Sequence, residues 1–248
     1  RVPRTKSQEH CSLFGTVLSM PTARARARAE LTREIKASAR RQIAEVGASA
    51  LSLRAVSREL GMVSSALYRY FPSRDALLTA LIVDAFDAVG AVAEEAESRV
   101  PTGAGFTRRW VALGTAVREW AVAQPHDYAL IYGSPVPGYE APTDTVDPAA
   151  RVSLVALRLV ADGVAAGEID ATAAAPMPRS VHGEMAALRD GVGLALPDEV
   201  LARTLLAWSA VLGAISYELF GHLHGIVGDH PAYFDHQLHR TARLIAEP

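Results

Sequence analysis

The chain has 248 residues, of which 50% are apolar and 21% are charged, so it can bury a core in one large domain or two small ones. Its single cysteine, Cys11, excludes an intrachain disulfide and a cysteine-rich zinc site, and favours a reducing, cytoplasmic setting. The charge is uneven, since residues 1–75 carry a net +8 and residues 76–248 a net −10. A basic N-terminal segment, here called the head, followed by an acidic remainder, the body, is typical of a protein whose head binds a polyanion. The alternative is a chance excess of arginine in the head.

Residues 1–19 differ from the rest of the chain in mixing charges with a short apolar patch, from Leu13 to Leu18. The patch is too short for the core of a signal peptide. We expect residues 1–19 to be a disordered leader or tag and Met20 to be the native start. The longest uncharged apolar stretch, Thr204 to Tyr217, is shorter than the roughly 20 residues of a membrane span, so it predicts a buried helix and no membrane contact.

The predicted fold is all-α with about nine helices, because strand signals are scarce and apolar residues recur at helical spacing. The head, residues 20–75, holds three predicted helices. The first runs from Leu31 to Val46 and ends at Gly47, the second follows the N-cap Ser52, and a short third helix begins at Ser64 and stops before Pro72.

The body, residues 76–248, is predicted to be helical around one loop rich in proline and glycine. Its helices are expected over residues 73–99, 106–123, 127–132, 149–166, 179–190, 197–223 and 231–246, and the loop over 133–148.

Two short helices joined by a turn that contains Gly61 predict a helix-turn-helix, in which the second helix enters the major groove of DNA. Many all-α proteins hold such a pair for packing alone. Here the second helix begins with small and polar residues, which let the backbone approach base edges and offer hydroxyls to bases or phosphates. The residues that carry this chemistry are Val63, Ser64, Ser65 and Ala66 at its start and Tyr68, Arg69 and Tyr70 at its end.

The run from Leu51 to Leu81 resembles the DNA-binding domain of the TetR family of bacterial transcriptional repressors. The resemblance implies that Tyr68 contacts phosphate. Ser57 stands where the family usually has alanine, and Tyr70 where histidine is common. The residues that match the family's core, its turn and its Tyr-x-x-Phe-Pro element are Leu53, Val56, Leu60, Gly61, Tyr68, Phe71 and Pro72.

Further DNA contacts are expected from residues that flank the two helices. Arginine suits phosphate oxygens, although each single arginine can equally be a solvated surface residue. The alternating arginines from Thr22 to Arg28 resemble the flexible minor-groove arms of other helix-turn-helix proteins; a solvated arm is the alternative. These flanking candidates are Arg28, Ser52, Arg54 and Arg74.

The helix predicted over residues 197–223 is apolar on two faces, so both faces must be buried. One face is expected to pack in its own domain, and the other to form an intersubunit four-helix bundle with the last helix. The family resemblance implies the same C-terminal dimer interface. The stretch from Ala207 to Gly225 also resembles a regulatory subclass named for a Trp-His-Gly element, with Leu212 in the place of the histidine. The expected interface residues are Leu206, Ala210, Gly213, Tyr217, Phe220, Phe234 and Leu238.

Aromatic residues and methionines in the body are either core residues or, with the proline-rich loop, the lining of an apolar cavity with a few polar tips. The family resemblance implies a small-molecule effector pocket. The candidate lining residues are Trp110, Tyr128, Tyr132, Tyr139, Met177, Met185 and Trp208. Among the late histidines, His222 and His224 diverge on a helix, whereas His236 and His239 can share one face, which alone is fewer ligands than a metal site needs. No catalytic motif is present, so neither a metal, a cofactor nor an enzyme activity is expected.

The sequence therefore predicts a homodimeric, ligand-responsive repressor that binds a pseudo-palindromic duplex and is released by a small, largely apolar effector. The alternative is an all-α small-molecule-binding protein or enzyme whose head is purely structural. Salt-dependent binding to duplex DNA distinguishes the two.

Overall fold

A computed structural model describes residues 22–172 and 176–247, which contain ten α-helices and no strand, as the all-α prediction requires. The predicted leader, residues 1–19, lies outside the described residues. The helices are α1 (Ala23–Val46), α2 (Leu53–Glu59), α3 (Ser64–Leu67), α4 (Arg74–Arg99), α5 (Phe106–Ala123), α6 (Pro125–Tyr132), α7 (Val146–Ala165), α8 (Arg179–Val192), α9 (Asp198–Leu219) and α10 (His230–Ala246).

Helix α1 is longer at its start than the sequence predicts. It begins at Ala23, where the hydroxyl of Thr22 accepts a hydrogen bond from the Ala25 amide at 3.1 Å and caps the first turn. The alternating alanines and arginines after Thr22 are strong helix formers. The prediction of a flexible arm from Thr22 to Arg28 is therefore wrong, and the helix predicted from Leu31 starts eight residues earlier.

Two hydrophobic cores divide the described chain into a head and a body. The head core joins α1, α2, α3 and the first half of α4, through residues such as Ile35, Val56, Leu67 and Leu77. The body core joins the second half of α4 to the later helices. Because α4 contributes to both cores, it connects the head to the body.

The body packs around α4, which lies against α5, α6 and α7. Gly90 of α4 leaves room for the side chain of Arg151 on α7, and that guanidinium bridges Asp87 and Glu94 at 2.7 Å each. On the other side, α5 packs against α10, where the Trp110 indole donates to the Thr241 hydroxyl at 3.0 Å. Helix α9 then covers α10.

Some predicted boundaries move by a few residues. Helix α7 begins at Val146 rather than 149, and α9 ends at Leu219 rather than 223, where Gly221 takes a positive φ of 78°. By length and composition alone, α4 and α9 are apolar enough to cross a membrane. Core helices of globular proteins meet the same criterion, and α4 is packed against three other helices.

The contact between head and body is polar as well as apolar. Asp84 of α4 accepts hydrogen bonds from Lys36 at 2.7 Å and from Arg40 at 3.0 Å, both on α1. Arg40 also lies 3.4 Å from Asp127 of α6, so one arginine connects α1 to both body helices. Nearby, the hydroxyls of Thr79 and Tyr139 are 2.9 Å apart.

Candidate nucleic-acid interface

The predicted helix-turn-helix is present as α2 and α3, joined at Gly61, which has a positive φ of 64°. The turn is closed by a hydrogen bond from the Met62 amide to the Ser57 carbonyl at 2.8 Å. Leu67 is fully buried and fixes α3 on the head core. The pair is therefore held in one orientation by its own core.

Helix α3 has only four residues, and its outer face is free. Val63, Ser64 and Ser65 are exposed at its start, Ala66 is partly exposed, and Tyr68 and Arg69 are exposed directly after it. Tyr70 is partly buried against the head core. All predicted contact residues of this segment thus lie on or beside one short, surface-exposed turn of helix, as a major-groove reader requires.

A shallow groove of about 480 Å³ next to α3 brings together Tyr68 and three of the flanking candidates, Ser52, Arg54 and Arg74. Arg54 and Tyr68 are exposed there. Arg74 is partly engaged within the protein, because its guanidinium donates to the carbonyls of Ala48 and Ser49 at 3.0 and 3.2 Å. Arg54 and Tyr68 are the side chains of this groove that are best placed to meet a phosphate.

Arg28 is not part of an arm. Its side chain lies over the ring of Tyr70, 4.9 Å from the centroid, and donates to the carbonyl of Arg69 at 3.4 Å. Arg28 therefore holds the end of the α3 segment from the side.

Unpaired positive charge lies on α2 and directly after α3. Within the described residues, Arg54, Arg58 and Arg69 are exposed and have no carboxylate at ion-pair distance. Free arginines provide the sequence-independent attraction to a phosphate backbone.

A polar network joins α1 to α2, and no pattern in the sequence indicates it. The Ser38 hydroxyl donates to Glu59 at 2.6 Å, and Arg41 donates to the same carboxylate at 2.9 and 2.5 Å. These bonds hold the pKa of Glu59 below its ordinary value, first through Ser38 and then through Arg41. The network fixes α2, and with it the groove beside α3.

The candidate effector residues separate into two places. Trp110 and Trp208 touch edge to face at 5.9 Å, and Tyr128 and Tyr132 lie 5.1 Å apart, all within the body core. Met177 and Met185 pack on the same core. Tyr139 lies elsewhere, against the head core.

These aromatic residues are packed rather than arranged around a space. Trp110 is 1% exposed and bonded to Thr241, and buried Tyr128 donates to the Leu212 carbonyl at 2.9 Å. A cavity of about 300 Å³ does occur in the body, but it is lined partly by charged residues, among them Glu97 and Arg109. An apolar effector at the aromatic cluster would have to displace side chains.

The residues expected at the dimer interface do not all lie on the surface. Leu206, Tyr217 and Phe220 are exposed on one side of α9, with Ala210 exposed and Gly213 partly exposed between them. By contrast, Phe234 and Leu238 are 4% and 0% exposed inside the protomer's own core, where Leu238 packs against Gly114 of α5. The prediction that these two residues form the interface is wrong, because they have no surface to offer a partner. No group of three potential metal ligands occurs within the described ranges.

The fold and the exposed, basic helix-turn-helix define a DNA-binding regulator. Residues 35–81 match the family described as "Bacterial regulatory proteins, tetR family", and residues 110–241 match the "Tetracyclin repressor-like, C-terminal domain". The chain belongs to the TetR family of transcriptional regulators. This sets aside the alternative of an enzyme with a structural head.

Similar proteins cover nearly the whole chain. It is 41% identical over 224 residues to the HTH-type transcriptional regulator Rv1816 of Mycobacterium tuberculosis, with 89% of this chain and 94% of the relative aligned, and the same figures hold for Mb1846 of Mycobacterium bovis. Among solved structures, SCO4313, a protein described as regulatory, is 36% identical with a TM-score of 0.72, and the alignment covers 89% of this chain and 98% of that one. A Rhodococcus protein of unknown function is 25% identical with a TM-score of 0.65, over 88% and 96% of the two chains.

Proposed function

We propose that the protein is a cytoplasmic, homodimeric bacterial repressor that binds a pseudo-palindromic operator through α3 of each protomer and is released by a small, largely apolar effector. The observation that carries the DNA-binding part is the exposed α3 segment, with the unpaired Arg54 beside Tyr68 in one groove and the unpaired Arg69 directly after it. Two such segments in a symmetric dimer contact two half-sites about 34 to 36 Å apart.

The exposed apolar face of α9 supports the dimer. Leu206 and Tyr217 are 59% and 57% exposed, which is unusual for large apolar side chains grouped on one helix. A second copy of the same face covers them in a two-fold arrangement, since an isologous interface uses one patch twice.

The effector part rests on a row of rings that crosses the body. Phe86 of α4 meets Tyr132 edge to face at 6.1 Å, Tyr132 meets Tyr128 at 5.1 Å, and Tyr128 meets Phe220 at 6.4 Å. The row runs from the helix shared with the head to the exposed face of α9. An apolar molecule that inserts beside Tyr132 therefore acts on the head and the dimer face together.

The test is an unbiased selection of duplex DNA by the full chain, followed by affinity measurements at several salt concentrations. We expect a selected sequence with two-fold symmetry, and an affinity that falls steeply with salt as counterions are released. Tyr68→Ala should weaken binding, while Tyr233→Ala, at an exposed tyrosine on α10, serves as the control. Salt-independent binding, or no enriched sequence, refutes the proposal.

A further inference from the structure

Ser57 is a buried hydroxyl on α2 that faces the start of α3. It is 2% exposed, and its Oγ lies 3.0 Å from the Arg54 carbonyl and 3.2 Å from the Oγ of Ser64. An alanine at this position could make neither hydrogen bond. The serine therefore adds a bond between the two helices of the helix-turn-helix.

The number of hydrogens decides the direction of this bond. A serine hydroxyl has one hydrogen to donate and two lone pairs to accept. Ser57 donates its hydrogen to the Arg54 carbonyl, which has none to give. In the bond between the two hydroxyls, Ser64 must then be the donor and Ser57 the acceptor.

Since its hydrogen is used in the bond to Ser57, the Ser64 hydroxyl has only lone pairs available for a further hydrogen bond. Its side chain is exposed at the start of α3, where it can meet the major groove. A donation from Ser64 to DNA would require that the bond to Ser57 be broken. The oxygen of Ser64 can accept from DNA while that bond stays in place.

We propose that Ser57 is a specificity-determining positioning residue, which makes Ser64 an acceptor-only reader of the major groove. The donors exposed there are the amino groups of adenine N6 and cytosine N4, whereas guanine O6 and N7, thymine O4 and the phosphate oxygens are all acceptors. Ser64 thus reads an amino group and contacts no phosphate. The inference rests on the proposed function for the docking of α3 in the groove.

Ser65 provides a matched comparison on the same turn of helix. It is exposed like Ser64, but within the described residues its hydroxyl has no hydrogen-bond partner in the protein. Its hydrogen remains available, so Ser65 can donate to a base or a phosphate as well as accept.

The experiment uses the operator obtained by selection and replaces single atoms in its half-site. Purine in place of adenine, or 2-pyrimidinone in place of cytosine, removes one amino group; 7-deazapurines remove one N7; methylphosphonate removes one charged phosphate oxygen. Binding to each duplex is measured for the full chain and for Ser64→Ala, Ser57→Ala, Ser57→Ala/Ser64→Ala and Ser65→Ala. Thermal unfolding confirms that the variants are folded.

In the unmodified protein, we expect loss of one particular amino group to weaken binding about threefold to tenfold, the range for one hydrogen bond. Ser64→Ala should remove this sensitivity and leave the responses to 7-deaza and methylphosphonate duplexes unchanged. In Ser57→Ala the hydrogen of Ser64 is released, so a new response to N7 or phosphate removal should appear beside the amino sensitivity. The double variant should lose that new response, and Ser65→Ala should keep the original one.

The inference is overturned if Ser64 in the unmodified protein responds to N7 or phosphate removal, if it responds to no replacement, or if Ser57→Ala behaves like the unmodified protein. The comparison with Ser64→Ala decides the matter even if Ser57→Ala is unstable, because Ser64 is at the surface. A failure of the proposed function looks different, since in that case no operator is enriched at all.

Discussion

At the scale of single residues, Arg28 has a role other than the one its position in an arginine-rich segment indicates. Its guanidinium lies over Tyr70 and bonds to the Arg69 carbonyl. We expect Arg28→Ala to lower the free energy of unfolding by about 0.5 to 1 kcal/mol, the range for an exposed cation–π contact. It should also weaken operator binding, because the α3 segment loses a lateral support. Urea denaturation and a binding titration measure the two effects.

Arg26→Ala is the matched control for Arg28→Ala. It removes the same charge from the same helix, and within the described residues its side chain makes no hydrogen bond, ion pair or cation–π contact. Its unfolding free energy should equal that of the unmodified protein. Equal stability of the two variants would show that Arg28 is only a solvated charge.

Tyr132 is a second residue with a measurable signature. Burial, and next the neighbouring Tyr128, raise the pKa of Tyr132 to about 12 from an ordinary 10. Between these values the folded state keeps a proton that the unfolded state loses. The resulting stability is present below pH 10 and is lost as the pH rises to about 12. Tyr132→Phe should reduce this alkaline loss and remove one late step in the tyrosinate absorbance.

The control for this titration is Tyr233→Phe, at an exposed tyrosine on α10. The step near pH 12 should remain in that variant. Burial also raises the pKa of Tyr128, so part of the late absorbance change remains in Tyr132→Phe. If its amplitude is the same as in the unmodified protein, the side chain of Tyr132 is accessible to water in solution.

At the scale of elements, α9 offers a sharp test of the dimer. A side chain at Gly213 would meet no atom of the protomer within 4 Å, so Gly213→Glu should fold. In the proposed dimer, however, the carboxylate is buried without a partner. We expect the dissociation constant of the dimer to rise about a hundredfold or more. Sedimentation equilibrium measures the change.

Gly183→Glu is the control, because Gly183 lies on α8, is exposed and also has free space around it. This variant should remain dimeric. A dimeric, folded Gly213→Glu protein would mean that another surface joins the protomers.

Most elements could be predicted because apolar spacing is a local property. The spacing of Ile35, Ala39, Ile43 and Val46 predicts the buried side of α1. The first three are buried, but Val46, in the last turn, is 57% exposed. Whether an apolar residue faces the protomer's own core or a partner depends on the whole fold. For this reason the sequence predicts Phe234 at the dimer interface, whereas it lies in the core of the protomer. The bond between Ser57 and Ser64 is equally invisible in the sequence, because it depends on the angle between two helices.

At the scale of the whole molecule, the contact between Arg40 and Asp127 joins the body helix α6 to the head. An effector changes operator affinity only through its different affinities for two states, and the effect is reciprocal. A hundredfold effect corresponds to about 2.7 kcal/mol. We expect Asp127→Ala to reduce the factor by which the effector weakens operator binding, and equally the factor by which the operator weakens effector binding. Arg40 keeps its bond to Asp84, so the head should stay folded.

A ligand is first identified by mass spectrometry of the purified protein. Calorimetry with and without operator then measures the factor by which operator DNA changes the affinity for that ligand. Asp235→Ala, at an exposed carboxylate on α10, should leave the factor unchanged. If Asp127→Ala and the unmodified protein show the same coupling factor, the signal does not depend on the contact between Arg40 and Asp127.

The early start of α1 has a mechanical consequence. The helix is one uninterrupted rod from Ala23 to Val46, and Arg40 fixes it to the body near one end. At 1.5 Å per residue, Arg24 lies about 24 Å along the axis from that fixed point. A tilt of about 5° at Arg40 then moves Arg24 by roughly 2 Å, which is the difference between a direct hydrogen bond and one that needs a water. The rod thus converts a small angular change at the body into a displacement of positive charge at the far end of the head.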